Sequence, residues 1–142
     1  MINYLRTSLL LLSILLLSCS EKKDPYLWKS LEVTATAYNS VPSQTQGNPV
    51  IAAWGDSLKP GMRSIAVSRN LIALGLKHNT PIKIEGFDSI FLVKDKMHSR
   101  WRNRIDIYMG TDVQKAKTWG RKKLTIQYGI LKDSLNSEQE AK

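Results

Sequence analysis

Two aspartates in the sequence have the spacing and local pattern that proton transfer would require. Asp106 lies in the middle of the segment 104–108, where strand-like alternation puts two isoleucines on one face and Asp106 on the other. Strand interiors disfavour aspartate, which makes its presence there informative. Asp95 lies 11 residues earlier, at the end of a strand predicted over 90–93. Carboxylates on neighbouring strands can do acid–base work because each perturbs the pKa of the other, whereas the alternative is that Asp106 pairs with a neighbouring arginine on a solvated face.

Aromatic and basic residues lie between and around this pair. Trp101 stands between the two aspartates in a basic segment, and it and Trp54 could stack on sugar rings, although tryptophans in a small barrel are more often core or rim residues. His98 could line the same cleft, but a surface role is favoured. No spacing resembles a zinc motif or a nucleophile elbow, so the sequence predicts no metal and no cofactor.

The first 20 residues differ from the rest of the chain. Arg6 is their only charged residue, and a mostly apolar run follows over 7–18 before Cys19, the single cysteine. That run is shorter than a bilayer span, which needs about 20 apolar residues, and it has the length of a secretory leader. The segment 16–19 also resembles the lipobox of bacterial lipoproteins, in which the cysteine takes a diacylglycerol before cleavage.

We therefore predict a cleaved signal peptide over 1–18, a lipidated Cys19 and a tether over 19–30. This predicts a protein of the cell envelope, held by its lipid in a membrane, the outer membrane facing the periplasm being favoured. A short transmembrane anchor is the alternative. With one cysteine, the folded domain has no internal disulfide, and its stability must come from its core.

The chain carries a formal net charge of +9, which favours polyanionic partners. Secretion argues against nucleic acid. Peptidoglycan, whose peptides carry carboxylates, is the partner that fits the predicted location. A plain solvated basic surface is the alternative.

Period-two alternation dominates the region 31–130 and indicates a mainly β domain with short helices. Ser68 can cap a helix over 69–74, and Thr111 forms a capping-box pattern ahead of a second helix over 113–119. The polar residues 131–142 are predicted to be a disordered tail. A long stretch between Asn39 and Pro60 is rich in turn-forming residues, and a loop of that length is usually functional. The predicted strands cover 31–38, 64–67, 81–87, 90–93, 105–107 and 124–128.

Several short segments, in this order and spacing, resemble the three-aspartate (3D) domain over about residues 31–130. That domain is similar to the catalytic double-psi β-barrel of membrane-bound lytic transglycosylase A. The segments that carry the resemblance are 34–38, 47–49, 52–55, 65–68, Gly75, 82–86, 93–95, 104–108 and 119–121.

The resemblance implies a six-stranded double-psi β-barrel with a substrate groove, in which Asp106 matches the catalytic acid and Asp95 the aspartate that supports it. The implied activity is lytic cleavage of the peptidoglycan glycan strand, and the alternative is a non-catalytic peptidoglycan-binding or expansin-like module. Two departures from the domain stand out: Ser68 stands where its third aspartate is common, and bulkier residues, among them Met97 and His98, stand where glycines are common. The second departure favours the alternative. We assign substrate contacts to Tyr38, Trp54, Trp101, Arg104 and Tyr108.

Overall fold

Six strands form a sheet that closes into a ring in the computed structural model, which describes residues 23–44 and 47–134. The predicted signal peptide, Cys19 and most of the predicted tail lie outside these ranges. The strands are β1 (Tyr26–Tyr38), β2 (Ser64–Val67), β3 (Pro81–Ile84), β4 (Ile90–Lys96), β5 (Arg104–Tyr108) and β6 (Lys122–Leu131). The described residues also form the short helices α1 (Arg69–Ala73) and α2 (Val113–Trp119) and a 3-10 turn over Pro42–Gln44. The prediction of a mainly β fold with six strands and short helices is confirmed.

The order of strands around the ring is β1-β5-β2-β4-β3-β6. The pairs β1–β5 and β2–β4 are parallel, and the other four pairs are antiparallel. If β1, β2 and β3 are exchanged with β4, β5 and β6 respectively, the same six strand pairs result. The two halves of the domain are therefore arranged in the same way around the ring.

The core fills the inside of the ring with the side chains that alternation predicted to face inward. Branched aliphatic residues from every strand meet there, and α1 contributes Leu71. Ile105 and Ile107, the neighbours of Asp106, are almost completely buried. Burial of this kind is the main favourable contribution to stability in a domain without disulfides.

The first strand starts earlier and the last strand ends later in the chain than the sequence predicted. β1 begins at Tyr26 rather than at residue 31, and Tyr26 pairs with Leu131, which the sequence placed in a disordered tail. The predicted start of the domain at residue 31 is wrong because Tyr26 and Pro81 both pack against Gly129. A Cβ added to Gly129 would lie only 3.0 Å from each of them. Residues 26–30 are thus part of the barrel rather than of a tether. No helix in the described residues is long and apolar enough to cross a membrane.

Both predicted helices form, but neither is capped by the predicted side chain. Ser68 occupies the N-cap of α1, yet its hydroxyl makes no capping hydrogen bond. At α2 the N-cap is Asp112 instead of Thr111, and the Asp112 carboxylate accepts a 2.9 Å hydrogen bond from the backbone N–H of Lys115. Aspartate suits this position because its charge also interacts favourably with the helix N-terminus.

Replacing the observed cap should destabilise the domain, and replacing the predicted one should not. Asp112→Ala removes the acceptor for an otherwise unpaired N–H, and we expect a loss of about 0.5–2 kcal/mol in the free energy of unfolding. Thr111→Ala, the matched control, should stay within about 0.5 kcal/mol of wild type. Urea unfolding followed by circular dichroism measures both. A larger loss for Thr111→Ala than for Asp112→Ala would contradict the assignment.

Candidate active site

Four adjacent strands place a row of side chains across the outside of the barrel. Thr36 on β1 pairs with Asp106 on β5, Asp106 pairs with Ala66 on β2, and Ala66 pairs with Asp95 on β4. Cross-strand partners project to the same side of a sheet, and the neighbours of Asp106 point into the core. The two carboxylates therefore share the outer face, with the small side chain of Ala66 between them.

A β-bulge is what puts Asp95 in this row. The register of β2 against β4 shifts between Ile65 and Ala66, so that Ile65 pairs with Val93 but Ala66 pairs with Asp95. Strict alternation from the buried Val93 would have pointed Asp95 into the core. The extra residue, Lys94, re-aims the strand, as bulges commonly do beside functional sites.

A cavity of about 200 Å³ lies over this row. Ala66, Asp95 and Asp106 contribute its base, while loop residues rise on either side. One wall comes from the loop after β1, the other from the connection between β4 and β5. The wall residues include Asn39, Gln44, Pro49 and Ile51 on the first side and Met97, His98 and Trp101 on the second.

Asp106 accepts one side-chain hydrogen bond from the described residues and is partly buried. The Thr36 hydroxyl donates to Asp106 Oδ1 at 2.7 Å, and Arg104 Nε donates to the Thr36 oxygen at 3.2 Å. Burial raises the pKa of Asp106 above its ordinary value, the Thr36 hydrogen bond and the Arg104 charge oppose that rise, and Asp95 adds to it. Among the described residues Asp106 makes no ion pair with an arginine. A carboxyl whose pKa is raised can hold a proton that it later donates.

Asp95 fixes a loop rather than touching Asp106. Its Oδ1 accepts hydrogen bonds from the backbone N–H of Ala53 at 2.7 Å and from that of Lys96 at 2.8 Å. The first of these joins the loop between the 3-10 turn and β2 to the end of β4. Hydrogen bonds to an ionised carboxylate are among the stronger ones in proteins, so this contact holds one wall of the cavity in place.

A second carboxylate anchors the same loop. Asp56 Oδ1 accepts a 2.8 Å hydrogen bond from Lys94 Nζ, its other oxygen contacts His78, and the Lys94 hydrogen bond lowers the pKa of Asp56. Trp54 stacks on His78 with ring centroids 5.2 Å apart, and Lys96 Nζ lies 4.9 Å from the Trp54 ring. Trp54, predicted to contact substrate, thus supports the loop and is not among the residues that line the cavity.

Tyr38 and Tyr108 form the end of the β1–β5 pair. Tyr38 lines the cavity, but its hydroxyl is buried and finds no partner among the described residues. Burial, followed by the charges of Asp95 and Asp106, raises the pKa of Tyr38, so that its hydroxyl stays protonated. Tyr108 is only 4% exposed, and its hydroxyl lies 2.7 Å from Ser40 Oγ. Tyr108 is therefore covered by the loop after β1, and although predicted to contact substrate it is not among the residues that line the cavity.

Arg104 is likewise absent from the cavity lining. It is buried, and its guanidinium carbon is 4.1 Å from the centre of the Trp101 ring, while the exposed Arg100 lies 4.9 Å from the same ring. Arg104 therefore orients Trp101 and polarises the Thr36 hydroxyl instead of reaching the cavity. Trp101 itself lines the cavity, as the stacking prediction requires.

Ser68, at the end of β2, has a structural role. Its hydroxyl accepts from the backbone N–H of Arg104 at 3.0 Å and donates to Asn70 Oδ1 at 2.9 Å. Asn70 in turn donates to Asn103 Oδ1 at 2.6 Å. These contacts join the end of β2 to the start of β5 and so position the strand that carries Asp106.

The structure thus brings four of the predicted residues to one cavity, namely Tyr38, Asp95, Trp101 and Asp106. Sequence reasoning missed Thr36, the only side chain in the described part of the chain that hydrogen-bonds Asp106. Its outward orientation could be read from alternation, but its partner strand could not. His98, for which the sequence favoured a surface role, is exposed and also lines the cavity.

Comparison of the chain with models of known protein families and with curated protein sequences finds no match. The described residues also contain no group of three side chains suited to holding a metal ion.

The raised pKa of Asp106 predicts a pH-dependent cost in stability. Because the folded state holds this proton more tightly than the unfolded chain, stability is lost as the pH rises from the ordinary value of 3.8 through the folded value. Asp106→Asn keeps an oxygen for the Thr36 hydroxyl but carries no charge. We expect it to raise the thermal midpoint at pH 7 and to match wild type near pH 3. A midpoint below that of wild type at pH 7 would contradict this account.

Proposed function

We propose that this protein cleaves the glycan strand of peptidoglycan in a lytic transglycosylase reaction, with Asp106 as both general acid and general base. One observation carries the proposal. A carboxyl with a raised pKa lies at the base of a cavity, and its described hydrogen bond uses only Oδ1. An acid poised in this way can meet a glycosidic oxygen that enters the cavity.

The reaction needs only this one carboxyl. Asp106 donates its proton to the glycosidic oxygen as the bond from that oxygen to C1 of the muramic acid breaks. The muramic acid's own 6-hydroxyl then attacks C1, and the Asp106 carboxylate takes the hydroxyl proton. The products are a shortened strand and a 1,6-anhydro end, no water is consumed, and the enzyme returns to its starting protonation state.

The alternative chemistry, hydrolysis, requires a second carboxylate or an activated water. Retaining glycosidases place their two carboxyl groups about 5–5.5 Å apart. Asp95 and Asp106 are separated by the intervening strand β2, which puts their backbones about 10 Å apart at ordinary strand spacing. Asp95 also uses Oδ1 to hold the loop, which favours a positioning role over that of a nucleophile.

The proposal includes the finer fold and the location that the sequence predicts. Two parallel strand pairs, β1–β5 and β2–β4, support a double-psi β-barrel. Each of these pairs takes the place of the other when the two halves of the chain are exchanged. An envelope lipoprotein anchored through Cys19 is supported by the leader over 1–18. Intact-mass analysis of the membrane fraction should find a lipid-modified chain that begins at Cys19, and a chain that retains Met1 would overturn the anchor.

A non-catalytic wall-binding module is the second candidate, and the cavity wall favours it in one respect. His98 and Met97 stand at positions where the three-aspartate domain commonly has glycine, and both line the cavity. Incubation of the purified protein with peptidoglycan sacculi separates the two functions. Release of soluble muropeptides supports cleavage, whereas sedimentation of the protein with intact sacculi and no release supports the binding module.

A further inference from the structure

The outside of the barrel opposite the cavity carries a group of exposed apolar side chains. The cavity lies over β5 and β2, and in the ring order the strands opposite these two are β3 and β6. The outward positions on this side belong to four neighbouring strands, as their register shows: Pro81 pairs with Leu92, Lys83 with Ile90, and Tyr26 with Leu131. We call this surface the rear face, and it comprises Tyr26, Trp28, Pro81, Lys83, Ile90, Leu92, Gly129 and Leu131.

Large apolar side chains on the rear face are open to solvent. Ile90 and Leu131 are each 50% exposed and Leu92 is 36% exposed. Tyr26 and Trp28 lie beside them as a tilted aromatic pair with ring centroids 5.7 Å apart, and both are partly exposed. A contiguous exposed apolar surface in a small domain marks an interaction site, since isolated residues alone would need no explanation.

Lysines accompany these apolar side chains. Lys83 Nζ lies 3.9 Å from the Trp28 ring, and Lys132 Nζ hydrogen-bonds the Asp24 backbone oxygen at 2.7 Å. Lys23 and Lys29 flank the start of β1, and Lys77 lines a groove with Tyr26 and Leu131. The acidic groups near these lysines include Asp24, Asp133 and Glu85, and Glu85 Oε2 accepts a 2.8 Å hydrogen bond from the Thr125 N–H. The Asp24 carboxylate is occupied by Trp28 Nε1 at 2.6 Å and by the Tyr26 N–H at 2.9 Å, so lysines exceed free carboxylates.

We propose that the rear face rests on the surface of a membrane that contains anionic lipids. Tryptophan and tyrosine are enriched where protein meets the bilayer interface, and lysines beside them interact with anionic head groups. The inference rests on the proposed lipid anchor, because Cys19 is only seven residues before Tyr26, a reach of at most about 25 Å. With the rear face on the bilayer, the cavity opens away from the membrane, toward the cell wall.

Quenching of tryptophan fluorescence by brominated lipids tests this orientation. The lipid-modified full chain, purified from membranes, is reconstituted into vesicles of phosphatidylglycerol and phosphatidylcholine whose acyl chains carry bromine. We expect part of the emission to be quenched, and Trp28→Phe should reduce the quenched fraction at least twofold. Trp101→Phe, on the cavity side, should raise that fraction because it removes an unquenched emitter. Ile90→Ser should weaken the quenching while leaving every tryptophan in place.

The result that overturns the proposal is a quenched fraction that Trp28→Phe and Ile90→Ser leave unchanged while both variants keep the wild-type circular dichroism spectrum. Absence of quenching combined with concentration-dependent self-association would also overturn it and would assign the rear face to a second copy of the chain. Neither result bears on glycan cleavage, which is read from sacculi in a separate assay. Failure of the enzyme proposal would likewise leave the quenching unchanged.

Discussion

Asp106→Asn should reduce release of muropeptides from sacculi by about 10²–10⁴-fold, the range typical of general acid–base catalysis. Asparagine has nearly the same shape and can still accept the hydrogen bond that Thr36 donates to Asp106. It cannot donate a proton to the glycosidic oxygen or take one from the 6-hydroxyl. The barrel should therefore stay intact while the reaction is lost.

Asp88→Asn is the matched control for this variant, because it makes the same chemical change at an exposed position in the turn between β3 and β4. It should cleave sacculi at the wild-type rate. Sedimentation should show that Asp106→Asn still binds sacculi, which separates lost chemistry from lost binding. Cleavage by Asp106→Asn within about threefold of wild type would remove Asp106 from the mechanism.

Asp95→Ala should lower cleavage by about 10- to 100-fold, for a different reason. It removes the acceptor that joins the Ala53 N–H to the end of β4, and hydrogen bonds to charged groups are worth about 1.5–3 kcal/mol. Without this contact the cavity wall loses its attachment, so the effect should appear mainly as an increase in the sacculus concentration needed for half-maximal rate. Initial rates at varied sacculus concentration measure it.

Asp95→Asn separates the anchoring role from an electrostatic one. Its side-chain oxygen can still accept the Ala53 N–H, so we expect it to keep most of the activity that Asp95→Ala loses. Because Asp95 adds to the rise in the pKa of Asp106, and Asp106 must be protonated to act as the acid, Asp95→Asn should also move the alkaline limb of the pH–rate profile to lower pH. Equal loss of activity in both variants would show that charge, rather than loop attachment, is what Asp95 supplies.

The inward and outward faces of the strands could be predicted from the sequence, because alternation depends only on neighbouring residues. The pattern around Asp106 gave its outward orientation and the burial of both flanking isoleucines, as the structure has them. The helix over 113–119 was predicted with the correct bounds, since Gly120 ends it. These features depend on residues that are close together in the sequence, so the sequence pattern is enough to predict them.

Features that depend on distant residues could not be predicted. Thr36 meets Asp106 only because β1 and β5 pair in parallel across 70 residues of sequence. The bulge at Lys94 turns Asp95 outward, but the alternation of apolar and polar residues before it does not indicate that a bulge follows. Tyr108 was predicted to contact substrate but is covered by Ser40 and Tyr38, which reach it from the loop and strand before it.

The product of the reaction tests the central claim most directly. Sacculi digested with the wild-type protein are analysed by mass spectrometry, with Asp106→Asn as the inactive control. We expect muropeptides that end in 1,6-anhydro muramic acid, each lighter by one water than the corresponding hydrolytic product. Reducing ends in their place would contradict the transglycosylase mechanism, and sacculi that remain intact at every pH tested would contradict the enzyme itself.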